Sequence, residues 1–240
     1  SRLQEWVGDS LPSAGKIIDV AQFKGGQSNP TYKIITEQKE LVLRRKPPGI
    51  LLPSAHAVDR EYKVMTALKD TAVPVPQTYG LCEDEDVIGT SFFVMDFLDG
   101  DIYWDLLLED KSLEERKAIY KSKNQVIAEL HKVDYTAVGL GDYGKPGNYI
   151  ARQVSRWTKQ YLASETETIL AMNNLIDWLP ANIPDEDETS IVHGDYRLDN
   201  MVFGKDNRVM GVLDWELSTL GHPIADFNYH CMSWRNIPQL

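Results

Sequence analysis

The apolar pattern of this chain changes from mainly strand to mainly helical period near residue 98, and that change restricts the fold more than any other feature. Up to about residue 98 the apolar residues alternate in short runs bounded by turn formers, the mark of strands. Residues 17–23, 31–36, 41–44, 78–81 and 92–95 are five such runs. The polar turn Glu37-Gln38-Lys39-Glu40 joins the second to the third, and the acidic turn Glu83-Asp84-Glu85-Asp86 separates the last two. One helix interrupts them over residues 56–68, where Val58, Tyr62, Met65 and Leu68 fall at spacings of three and four. Beyond Gly100 the period becomes helical. Ser112 and Glu115 form an S-x-x-E capping box before an apolar face of Ile119, Val126, Ile127, Leu130 and Val133. Residues 149–163 and 165–179 read as two further helices, the second ended by Pro180. The chain then returns to strand. Residues 201–203 and 209–213 are apolar runs joined by the hairpin turn Gly204-Lys205-Asp206-Asn207.

Five strands with one inserted helix, followed by a mainly helical part, predict an α+β chain of two lobes. The boundary falls at residues 1–98 and 99–240, with a hinge near Met95–Gly100. The 240 residues carry 25 Lys+Arg and 36 Asp+Glu, a net charge of -11. That balance argues against a nucleic-acid backbone as the main partner. The charge is uneven: 11 cations face 13 carboxylates in residues 1–98, and 14 face 23 in residues 99–240. No apolar run approaches the roughly 20 residues of a membrane span. The first residues lack the pattern of a signal peptide, and the two cysteines, Cys82 and Cys231, form no CxxC pair. A reduced, cytoplasmic setting without membrane attachment is the expectation.

One segment carries chemistry. His193-Gly194-Asp195-Tyr196-Arg197-Leu198-Asp199-Asn200 precedes a strand, and Leu213-Asp214-Trp215-Glu216 ends the strand that pairs back to it. A hairpin therefore brings Asp214 close to Asn200. An Asp, an Asn five positions on and a second Asp form the cluster that phosphoryl transfer needs: one carboxylate orients the attacking hydroxyl and takes its proton, and the amide and second carboxylate hold Mg²⁺.

The segment resembles the catalytic loop and metal-binding segment of the aminoglycoside phosphotransferase-like kinases, relatives of choline kinases and protein kinases. With the run from Gly139 to Tyr149 and the segment from Leu213 to Pro223, it is similar to the kinase-like domain linked to acyl-CoA dehydrogenases and its bacterial relatives. The resemblance extends from about Phe23 to the C-terminus. It implies a two-lobed, protein-kinase-like fold and an enzyme using ATP and Mg²⁺ on a small-molecule hydroxyl, with a possible functional link to an acyl-CoA dehydrogenase.

The resemblance also assigns positions. Asp195 matches the catalytic base, and Asn200 and Asp214 match the metal ligands. Gly25, Gly26, Ser28 and Asn29 match the loop over the nucleotide phosphates. Met95, Asp96, Phe97 and Leu98 match the hinge whose backbone reads adenine. Glu61 matches the acid that pairs with the third-strand cation, Arg44 here where the family pattern has Lys. Asp226 matches a buried acid bracing the catalytic loop, and His193 is expected to be structural. Trp215, Glu216 and Arg197 are expected on the substrate side, Arg197 either meeting an anionic substrate or pairing with Asp199 or Asp226. A hydroxy acid or hydroxyacyl-CoA ranks first as acceptor and an aminoglycoside or amino alcohol second. The acidic second lobe favours a polycation unless a local basic patch compensates. A non-catalytic nucleotide-binding module is the reading from another class. Relatives continue past the segment matching residues 230–240, so helices that usually complete the substrate pocket are expected to be missing.

Overall fold

The computed structural model describes residues 1–24, 29–47, 57–185 and 188–232. The first lobe is a five-stranded antiparallel sheet: β1 (Ile17–Gln22), β2 (Thr31–Thr36), β3 (Glu40–Arg45), β4 (Thr78–Cys82) and β5 (Phe92–Asp96), in the order β1-β2-β3-β5-β4. A helix α1 (Arg2–Ser10) precedes the sheet and α2 (Val58–Leu68) is inserted between β3 and β4.

Period two explains how the sheet is covered. On β3, Leu41 and Leu43 face one way and join Ile34, Phe92 and Val94 in a cluster closed by Val7 of α1. Val42 faces the other way, with Phe93 and Met95, into the larger core shared with α2 and the second lobe. Arg44 lies on the Val42 face, which is why its side chain reaches α2. Sequence reading missed α1, whose apolar side is marked only by Leu3, Trp6 and Val7. Its Ser1 hydroxyl accepts from the Gln4 amide, and the Trp6 ring meets Phe92 edge-on at 4.8 Å.

The second lobe contains α3 (Leu113–Lys132), α4 (Tyr149–Ser164), α5 (Leu170–Ala181) and α6 (Pro223–Met232). Two short pairs of strands accompany them: β6 (Ser190–Val192) with β9 (Thr219–Gly221), and β7 (Met201–Phe203) with β8 (Val209–Val212). The capping box at α3 is formed in both directions: Ser112 Oγ accepts from the Glu115 amide and Glu115 accepts from the Ser112 amide. The second predicted helix of the pair needs correction at both ends. Glu165 is the extended residue that closes α4, so α5 starts only at Leu170. Pro180 lies within its last turn, and the Asn182 amide and side chain cap the carbonyls of Leu179 and Trp178.

The lobes are joined through backbone contacts. Past β5, Asp101 exchanges two hydrogen bonds of 2.8 Å with Phe203 on β7, and the Val212 amide of β8 donates to Pro74 O at 2.9 Å. Gly100 permits this: a Cβ there would lie 2.4 Å from Phe203 O and 2.7 Å from Val202. Gly100→Ala should therefore cost about 1–3 kcal/mol. The measurement is urea denaturation, with the midpoint falling and the slope unchanged.

Candidate active site

The loop from β6 to β7 is fixed from behind before any side chain points forward. Asp226, buried near the start of α6, accepts the His193 amide at 2.6 Å on one carboxylate oxygen and the Gly194 amide at 2.8 Å on the other. His193 Nδ1 accepts from the Asp195 amide at 3.2 Å, so Nε2 carries the proton and donates to Leu213 O at 2.9 Å. One imidazole thus ties the backbone of Asp195 to the residue before Asp214. Gly194 has φ 85°, and a Cβ there would lie 2.8 Å from Leu217 O. Only glycine meets both conditions.

Asp195 then receives three donors. Asn200 Nδ2 reaches Asp195 Oδ2 at 3.0 Å and its backbone O at 2.9 Å. The Tyr229 hydroxyl donates to Oδ1 at 2.9 Å, and Arg197 Nε lies 3.2 Å from the same oxygen. Arg197 also pairs with Asp199 at 2.8 Å, not with Asp226. Sequence reading missed Tyr229. Its position three residues after Asp226 on α6 was the available signal, because i and i+3 share a helix face.

Asp214 follows β8 with φ 62° and ψ 60°, a conformation uncommon outside glycine. The Leu213 amide donates to Asn200 O at 2.8 Å, which brings the two expected metal ligands together. Across the lobes, Arg44 contacts Asp214 Oδ1 at 2.5 Å and Glu61 Oε2 at 2.7 Å, with Glu216 Oε2 at 3.9 Å. The Glu61 contact is close, although the Nε–H is not aimed along it. Asn29 Nδ2 also donates to Glu216, at 3.2 Å. One guanidinium therefore faces three carboxylates, and the site holds an excess of negative charge. Burial and the neighbouring Asp214 and Glu216 push the Glu61 carboxyl up to about 7, against the pull of Arg44.

The donor atoms suit a hard divalent cation. Both contacts of the Asn200 amide nitrogen go to Asp195, so its side-chain oxygen is the atom left for a ligand. Among the described residues no group of three or more His, Cys, Asp and Glu is placed to hold a metal. A cation held by two protein oxygens would be completed by phosphate and water oxygens, the usual manner of Mg²⁺.

Other expected positions differ. Trp215 is fully buried, donates its indole N–H to Val212 O and packs on His193 at 4.7 Å. It supports the loop from beneath and does not line a substrate surface. Glu216, expected on the substrate side, faces Arg44 at 3.9 Å and accepts from Asn29 at 3.2 Å. Met95 lies within β5, Phe97 and Leu98 just beyond it. The amides of Asp96 and Phe97 donate to Gln77 O and Glu40 O, so those two N–H groups serve the lobe. The Asp96 carboxylate is held by Tyr79 and Lys39. Gly25, Gly26 and Ser28 lie outside the described residues.

An open groove adjoins Asp195 along one face of α3. Its lining includes Arg116, Lys117, Lys121, Lys123 and Arg197, with Asp105 the one carboxylate among its described residues. Tyr229 lines it too, so two of its residues hold Asp195 Oδ1.

The Glu61 carboxyl sits above its ordinary 4.5 in the fold, so the folded protein holds the proton more tightly than the unfolded chain. That contribution to stability is present at low pH and is lost as pH rises from about 4.5 to about 7. Glu61→Gln should remove this component of the decline, measured as unfolding free energy against pH; an unchanged decline would refute it.

Residues 19–239 match the family described as "Phosphotransferase enzyme family" (APH). The chain is 50% identical over 218 residues to mouse acyl-CoA dehydrogenase family member 10, covering 90% of this chain and 20% of that protein. It is 45% identical over 228 residues to human acyl-CoA dehydrogenase family member 11, covering 93% and 29%. It therefore spans less than a third of these relatives. A crystal structure from Ralstonia eutropha, provisionally assigned as an aminoglycoside phosphotransferase, superposes with a TM-score of 0.91 at 55% identity, covering 99% of this chain and 70% of that one. A ternary complex of an aminoglycoside phosphotransferase with ADP and hygromycin B shares the fold at a TM-score of 0.69 and 14% identity. The chain belongs to the phosphotransferase enzyme family.

Proposed function

We propose that this protein moves the γ-phosphate of ATP to a hydroxyl of a small acceptor, a hydroxy acid or hydroxyacyl-CoA in the first place. The observation that carries the reaction is the convergence of Asp195, Asn200, Asp214, Arg44 and Glu61 from both lobes. Asp195 Oδ1 is oriented by Tyr229 and Arg197, and Oδ2 by Asn200. The carboxylate takes the proton of the acceptor hydroxyl as that oxygen attacks the γ-phosphorus, and the bond from phosphorus to the bridging oxygen breaks with ADP as leaving group. Arg44 is anchored at the inter-lobe face by Glu61 and offers its guanidinium to phosphate oxygens, as a planar fork where lysine would be a point charge. Asn200 and Asp214 would hold Mg²⁺, which neutralises charge on the phosphates when bound. The intact base and ligand positions argue against a non-catalytic module.

The lining of the groove supports one acceptor class over the other. A lobe that carries most of the net charge would hold a polycation, yet the surface beside Asp195 presents five cations and one carboxylate. That supports an anionic acceptor over an aminoglycoside. The relatives named as acyl-CoA dehydrogenases point the same way.

Asp195→Asn should lower kcat by about a hundredfold to ten-thousandfold. ATP affinity, measured by calorimetry, should stay near the wild-type value. Undiminished phosphorylation by this variant would remove Asp195 from the role of base.

A further inference from the structure

Lys123 is the feature that the phosphoryl-transfer reading leaves unused. It lies on α3 and is only 2% exposed, yet it contributes to the wall of the groove. A buried ammonium normally has a carboxylate against it, because the desolvation of an unpaired charge costs several kcal/mol. Among the described residues Lys123 has no ion-pair partner within 4 Å; Asp199 acts on it from further away, and Asp199 itself pairs with Arg197. Its ammonium lies 5.5 Å from the Tyr196 ring centroid, at the residue following Asp195. Burial lowers its pKa to about 8, opposed by Asp199 and Cys231.

The rest of the groove is amphiphilic. Trp104 is 72% exposed and Leu106 40%, and both line the groove. Tyr120 continues this apolar wall on α3. The cations Lys117 and Lys121 lie on the same helix, and Lys123 and Arg197 lie towards Asp195. Charged and apolar side chains thus line the same groove, which reaches Asp195 through Arg197 and Tyr229.

Resting on the phosphotransferase reading above, we infer that this groove is the acceptor site and that Lys123 is its specificity-determining residue. Lys123 holds an anionic group of an acceptor whose apolar chain lies along Trp104, Leu106 and Tyr120. The buried position gives the contact its strength, because an anion that reaches it is shielded from water.

The test compares Lys123→Met, similar in length and uncharged, with wild type on a medium-chain hydroxy acid, its uncharged methyl ester and its CoA thioester. The KM for the charged acceptors should rise about tenfold or more, the loss of one charge-assisted contact. The KM for the ester and for ATP should not move. A rise on the hydroxy acid alone assigns the contact to a carboxylate; a rise on the thioester alone assigns it to the CoA phosphates. An equal rise on acid and ester, or no rise on either charged acceptor, overturns the inference. Trp104→Ala, at an exposed position that leaves the core intact, should abolish the fall of KM with chain length; a fall that persists counts against the apolar path. Binding of a fatty acid with no hydroxyl, followed by tryptophan fluorescence, separates the two readings. Binding weakened by Lys123→Met with no phosphorylation of any acceptor would sink the kinase reading and keep the site. No binding to wild type would sink the site.

Discussion

The guanidinium of Arg44 is the contact on which the two lobes depend. Among the described residues it meets α2 through Glu61, the end of β8 through Asp214 and the segment that follows through Glu216. Three carboxylates around one cation are not a balanced salt bridge. The excess negative charge leaves room for a divalent cation to complete the site. Buried ion clusters contribute little net stability. Here the geometry serves position more than stability, since β3, α2 and β8 must all be in place for the three acids to meet.

Behind that contact stands a second layer. His193, Gly194, Trp215 and Asp226 hold the loop by backbone hydrogen bonds and ring packing. Asp195 is therefore set by its own main chain as well as by its side-chain partners. The arrangement satisfies buried backbone groups with a carboxylate and an imidazole at a place where no sheet or helix could do so.

Much of this was legible in the sequence, for reasons that differ by residue. The lobe order follows from the change of apolar period, and the meeting of Asn200 with Asp214 follows from a hairpin turn of known length. Arg44 and Glu61 needed family resemblance, because nothing local says that a strand residue and a helix residue will pair across a sheet. Trp215 misled for a plain reason: a large aromatic next to a ligand position is as good a floor as a wall, and only burial tells which. Tyr229 was hidden because its partner is 34 residues away. Helix α1 was hidden because its apolar side is short. The basic groove was invisible in the net charge, since its cations are gathered onto one face of α3 only when the helix winds.

That gathering has a consequence for how ligands arrive. The chain as a whole repels anions, and the groove attracts them. The repulsion is long-ranged and acts before contact, whereas the attraction is confined to the few ångströms of a partly dry cleft. Physiological salt screens interactions beyond about 8 Å. It therefore removes most of the approach barrier while leaving the close contacts nearly intact. An anionic acceptor would meet this protein more readily at cellular ionic strength than in dilute buffer, so salt would serve as an accelerant of encounter where it usually acts as a competitor.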